Sequence, residues 1–282
     1  MQRFIFSVVI FMWANGLLAS EEKVPLQAIQ ATVRIYTDGQ SSTGFIVGIP
    51  GEQGEEDAHL LVTARHAFHQ MQADFATVAF RAQTAEGVWQ RREIKIQIRR
   101  EGKPIWKQHR EADVGFLQVD IPKNVSCQPL ALGTIATADD FDCGRIHAGR
   151  NAWVACYPAK TESNPAGWSI LRSGVIASHP LVPVESLDHF FVDYSHFGGD
   201  SGAAVVIDDD GEALVVGIVV AMQRQTDRIV SPFEEKIIHR PLGLAIVVPS
   251  TLLLDLIQQW QSSQDRKSTR LNSSHTVISY AV

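Results

Sequence analysis

The sequence predicts an all-β protein that ends on one helix, and three observations carry that expectation. From Ala31 onward the chain is cut into short runs rich in Val, Ile, Phe and Tyr, bounded about every ten residues by Gly, Asp, Asn or Pro. Between Arg92 and Arg99, Ile94, Ile96 and Ile98 alternate with Glu93, Lys95 and Gln97, the two-residue period of a strand. A helical period emerges only after Pro249, where Leu253, Leu256, Ile257 and Trp260 fall at i, i+3, i+4, i+7 spacing behind Ser250-Thr251. With 282 residues, 45% of them hydrophobic, the chain can bury one large core or two modest ones.

At the start, Met1-Gln2-Arg3 is followed by a ten-residue apolar run, Phe4 to Trp13. That run is too short to span a bilayer comfortably, so residues 1–20 are expected to be a signal peptide and the rest secreted or periplasmic, without stable membrane insertion. Thr32 to Tyr36 and Gly44 to Ile49 then read as two strands joined by turn residues Asp38-Gly39, and Pro50 to Asp57, with four acids, reads as a solvated loop. His59 to Thr63 is a buried strand that delivers His66 at its end.

Eight of the chain's 25 basic residues fall between Arg91 and Arg110, which reads as a solvated strand face and loop; the formal net charge of −6 gives no hint of a nucleic-acid partner. Asp113 stands directly before the apolar run Val114 to Val119. Ile121 to Asp142, with Pro122, Pro129 and Gly133, reads as the crossing between two halves. The second half holds strands at Ala152 to Cys156, Ser169 to Ser178, Phe190 to Val192, Ala203 to Ile207, Ala213 to Ala221 and Leu242 to Val248, with Asp208-Asp209-Asp210-Gly211 as a hairpin turn.

Cys127, Cys143 and Cys156 allow at most one disulfide, and the sequence does not choose the pair; Cys156, inside an apolar strand, also suits a core position. None has the spacing of a zinc ligand, so neither metal nor cofactor is expected. Residues 265–282 break the pattern, resemble translated adapter sequence, and are set apart from residues 21–264.

The chemistry gathers on Phe197-Gly-Gly-Asp-Ser-Gly-Ala-Ala204. A serine attacks a carbonyl only if a base takes its proton and donors wait for the oxyanion, and glycines beside it let the backbone aim its N–H groups inward. Ser201 is the candidate nucleophile, His66 the base and Asp113 the residue that orients it. Their chain order, His then Asp then Ser, is that of the chymotrypsin-type triad and differs from the α/β-hydrolase order.

These residues resemble the trypsin-like (chymotrypsin-fold) serine peptidases, and within them the Deg/HtrA-like branch, without a visible PDZ domain. The likeness runs through Ser42-Thr43-Gly44-Phe45-Ile46, Thr63-Ala64-Arg65-His66, Ala112-Asp113-Val114-Gly115-Phe116-Leu117, Arg172-Ser173-Gly174-Val175-Ile176 and Gly243-Leu244-Ala245-Ile246, over roughly Ala31 to Trp260. It implies two perpendicular six-stranded barrels, about 28–121 and 128–261, with the triad between them. It also implies an oxyanion hole from the N–H groups of Gly199 and Ser201, and a protein or peptide substrate.

By the family's spacing the floor of the specificity pocket falls at Ser195, with His196 and Phe197 lining the entrance; the nearby strand Gly217 to Ala221 is wholly apolar, and its Gly217, Ile218 and Val219 are candidate substrate-binding residues. That implies cleavage after small to medium apolar residues, with Asp193 the nearest carboxylate a loop could turn inward. Two departures stand out: Ala203-Ala204 where the family usually has Gly-Pro, and Asp200 where the Deg branch often has Asn. The alternative expectation is therefore a peptidase-fold binding module with an unformed oxyanion hole.

Overall fold

A computed structural model describes residues 23–51, 58–231 and 233–276, with side chains through residue 264. The expected signal peptide and most of the acidic loop lie outside the described residues.

The described chain opens with helix α1 (Lys23–Ala31), which the strand-oriented pattern did not announce although Val24, Ala28 and Ala31 fall on one face and are its buried residues. Strands β1 (Thr32–Tyr36), β2 (Ser41–Ile49) and β3 (Ala58–Thr63) follow, then the short helix α2 (Arg65–Gln70), β4 (Phe75–Gln83) and β5 (Trp89–Gln97). A small hairpin, β6 (Arg99–Arg100) with β7 (Lys103–Pro104), leads to β8 (Lys107–Gln108) and β9 (Gly115–Val119). These strands, apart from the hairpin, form one sheet in the order β5-β4-β1-β2-β3-β9-β8. β10 (Leu130–Ala131) joins β2 in parallel.

A second closed six-stranded barrel was expected here, and the pairing does not close. The segment that would join the two ends of the sheet is divided: β5 pairs with β4, β8 pairs with β9, and the β6–β7 hairpin interrupts the ladder between them. The sheet still curls around its own core, in which Ile94, Ile96 and Ile98 meet Ile35, Ile46, Phe68 and Trp106. The alternation in Arg92 to Arg99 thus holds, with the lysine and glutamate face toward solvent.

The second half does close. After helix α3 (Ala138–Asp142), capped by Thr137 and Asp140 in a reciprocal box, strands β11 (Asn151–Cys156), β12 (Ile170–Ile176), β13 (Phe190–Asp193), β14 (Ala204–Asp209), β15 (Glu212–Val230) and β16 (Glu235–Pro249) form a barrel in the order β11-β12-β13-β16-β15-β14. Its interior packs Val154, Cys156, Phe190, Val205, Val219 and Val247. β15 and β16 run well beyond the expected limits of Ala221 and Leu242, leaving the barrel as a two-stranded arm. The arm's polar sequence hid it from a hydrophobic pattern. Cross-strand pairs hold it instead: Arg228 with Glu235 at 2.6 Å, Arg240 with Asp227 at 3.0 Å, and Thr226 with His239 at 2.9 Å.

Helix α4 (Ser250–Thr276) follows at once, and its backbone continues past Arg266. Leu253, Leu256 and Ile257 sit in a core with Phe45, Leu60 and Phe116 of the first half and Val206, Val215 and Ile218 of the second. The helix and this shared core fix how the halves meet. All three cysteines are free: Cys156 is buried, Cys127 half-buried and Cys143 exposed. No helix among the described residues is long and apolar enough to cross a membrane.

Candidate active site

His66 and Asp113 are brought together by adjacent strands. β3 ends at Thr63, α2 begins two residues later, and β9 pairs with β3 so that Thr63 faces Gly115. Asp113 therefore arrives beside His66. Its Oδ1 accepts the His66 backbone N–H at 2.9 Å, and its Oδ2 lies 2.6 Å from the ring Nδ1. An ionised carboxylate only accepts, so Nδ1 carries the proton and Nε2 keeps a free lone pair. Burial pushes the Asp113 carboxyl up, but the His66 hydrogen bonds and charge, with the Arg65 guanidinium 3.9 Å away, outweigh it and hold the pKa below the usual carboxylate value.

Ser201 comes from the other half, on the turn before β14. The two halves are stitched directly beneath it. The Thr43 N–H and the Ser42 hydroxyl donate to the Ser201 carbonyl at 3.0 and 2.6 Å, the Thr43 hydroxyl donates to the Gly199 carbonyl at 2.7 Å, and Thr43 Oγ1 accepts the Tyr157 N–H at 3.0 Å. Ser201 and His66 line one cleft of about 800 Å³ between the halves. Within it the Ser201 hydroxyl donates to the Val220 carbonyl at 3.3 Å rather than to His66.

The turn around the serine is built on two glycines, Gly199 and Gly202, with no room for a side chain. Gly199 has φ +102°, and a Cβ there would lie 2.4 Å from the Tyr157 carbonyl; Gly202 has φ +89°, with the Thr63 hydroxyl 2.0 Å from its missing Cβ. The Gly198 carbonyl accepts the Ala159 N–H at 2.7 Å, which turns the following Gly199 N–H the opposite way. Neither the Gly199 nor the Ser201 N–H has an acceptor among the described residues. Ala159, which holds that carbonyl, and Lys160, whose N–H donates to the Tyr157 carbonyl at 3.2 Å, both lie in left-handed backbone, at φ 48° and 68°. Ala203 and Ala204 are fully accommodated, with the Ala203 N–H on the Asp200 carbonyl at 3.0 Å.

No family model matches the chain. No curated protein matches it either. Among solved structures it is similar to a serine-to-alanine mutant of Rv3671c from M. tuberculosis H37Rv in an inactive form, at 13% identity and TM-score 0.48, covering 86% of this chain and 91% of that one.

The expected pocket residues divide. His196 lines the cleft, 5% exposed, with Phe197 at 48% beside it on the surface. Ser195 does not: β13 ends at Asp193, Tyr194 and His196 turn inward, and Ser195 between them is exposed, as is Asp193. Gly217, Ile218 and Val219 lie in the core beneath the cleft. Gly217 faces Val247 and Phe190 where a Cβ would clash, and the other two side chains are fully buried. The strand reaches the cleft only after a bulge between Val219 and Ala221, so Val220, Ala221 and Met222 line it, followed by Arg224. A strand read as a uniform apolar run gives no sign of where it bulges. No cluster of metal-ligating side chains occurs among the described residues.

Proposed function

We propose that this chain is a trypsin-like serine peptidase that cleaves peptide bonds through an acyl-enzyme, acting outside the cytoplasm after removal of residues 1–20. One observation carries it: an imidazole whose Nδ1 proton is fixed on Asp113 shares a cleft with a serine preceded by two unpaired backbone N–H groups, supplied by Gly199 and Ser201. In the working state the Ser201 hydroxyl swings from Val220 to His66 Nε2, a rotation about one side-chain bond.

Oγ then bonds to the scissile carbonyl carbon as its proton passes to Nε2. The oxyanion is met by the two N–H groups without reorganisation. Collapse breaks the C–N bond, and His66 returns the proton to the leaving amine. Water repeats the sequence on the acyl-enzyme, restoring Ser201 and releasing the acid.

The unpaired amides speak against the reading as an inert binding module, because an unformed hole would have the Gly199 N–H turned away. A peptide-library digest by the full chain and by Ser201→Ala tests the proposal. Cleavage by the parent alone is expected; equal cleavage by both would refute the role of Ser201.

A further inference from the structure

Resting on the peptidase reading, we propose that the cleft selects an acidic side chain at the residue whose carbonyl is attacked, received by His196 and Arg224. The expected apolar preference drew on Gly217 to Val219 as pocket residues, and those residues are in the core. What lines the cleft instead is polar and cationic: His196, Arg224 and Lys160 stand around it with Val220 and Met222, and no Asp or Glu among the described residues lines it.

His196 is the buried member. Both of its ring nitrogens are buried and have no partner among the described residues. A neutral imidazole carries one N–H donor and one acceptor. Burial, then the charges of Arg172 and Arg224 and that of His66 when protonated, push its pKa down to about 4, so the ring is neutral near neutral pH beside two arginines. Arg172 lies 5.5 Å over the Tyr194 ring and 5.3 Å over the Phe197 ring and makes no ion pair with a carboxylate among the described residues. Of the nearby carboxylates, Asp193 is exposed away from the cleft, and Asp200 is buried below the turn, where it accepts the Phe197 N–H at 2.9 Å.

Three kinds of incoming side chain meet this surface differently. An apolar one would leave the His196 N–H unpaired, as it already is in the free chain, and so gain nothing from it. A basic one would meet Arg224 and Lys160. A carboxylate accepts the His196 N–H and lies in the field of the arginines.

The test uses peptides that differ only at the residue before the scissile bond: Glu, Gln, Leu or Lys. With the full chain, kcat/KM for Glu should exceed that for Gln by about tenfold or more, with Lys poorest. Arg224→Gln, on an exposed side chain, should bring the Glu-to-Gln ratio toward one, as should added salt. Calorimetric binding of the same peptides to Ser201→Ala reads the preference without turnover. Tighter binding of the Glu peptide there supports the proposal even if the parent cleaves nothing, which would sink only the peptidase reading. A parent that cleaves or binds Leu and Glu peptides alike, with ratios unmoved by Arg224→Gln, overturns the proposal and leaves the peptidase reading standing.

Discussion

Gly199 is the residue on which the proposed chemistry turns most sharply, because geometry leaves it no substitute. At φ +102° and with the Tyr157 carbonyl 2.4 Å from its missing Cβ, Gly199→Ala must shift the turn and, with it, the N–H that faces the cleft. Loss of one oxyanion donor typically costs about 10²–10³ in kcat. Steady-state kinetics on Gly199→Ala should therefore show at least a hundredfold fall in kcat on any peptide the parent cleaves. Asp113→Asn should lower kcat by about 10⁴, the scale seen in the triad template when the imidazole is held in the wrong tautomer.

The same carboxylate has a pH signature. Because its folded pKa lies below the usual value, the stability it contributes is present above the unfolded carboxylate pKa and is lost as pH falls through the folded one. Urea midpoints of the parent and Asp113→Asn should differ near neutral pH and converge on acidification. A gap that widened instead would mean that Asp113 is not held in its charged form. The positions of these residues could be read from residue types: a serine among glycines, a histidine at a strand end and an aspartate at a strand start mark what the fold then brings to one cleft. His196 could not, since nothing local marks it as the ring that turns inward while Ser195 turns out.

At the scale of elements, the arm formed by the outer parts of β15 and β16 shows where pattern reading stops. The barrel strands were legible because burial imposes apolar runs. The arm, with Arg224, Gln225, Thr226, Asp227 and Arg228 facing Pro241 to Ile237, buries little and so imposes none. Its register rests on charge and hydroxyl pairs that a linear sequence does not reveal. Phe233, 99% exposed near its tip, touches no core. Phe233→Ser should accordingly shift stability by no more than about 0.5 kcal/mol, measured by urea denaturation. The bulge after Val219 is the other illegible feature: the cleft wall is Val220 to Met222, beyond it, and the apolar letters run on unchanged across it. In the first half, the β6–β7 insertion breaks a ladder that the alternating isoleucines alone would have continued.

Across the whole molecule, one core joins what the topology divides. Leu253 of α4 packs in the cluster that contains Phe45 and Leu60 of the curled sheet and Val206 and Val215 of the barrel. Leu253→Ala should cost about 2–5 kcal/mol, and both halves should still unfold in a single transition, because the cavity weakens a core they share. Tryptophan fluorescence and far-ultraviolet circular dichroism should give coincident curves. The seam between the halves also carries the site: Ser42 and Thr43 of β2 hold the Ser201 turn, while His66 and Asp113 belong to the first half.

The most direct measurement of the central claim is intact-mass analysis of the full chain after incubation with a fluorophosphonate, alongside Ser201→Ala and His66→Ala. An activated serine displaces fluoride and keeps the phosphonyl group. A single adduct on the parent, mapped to Ser201 and lost in both variants, is the predicted result. A folded parent that takes up no label, or one that labels as fully without His66, would contradict the account.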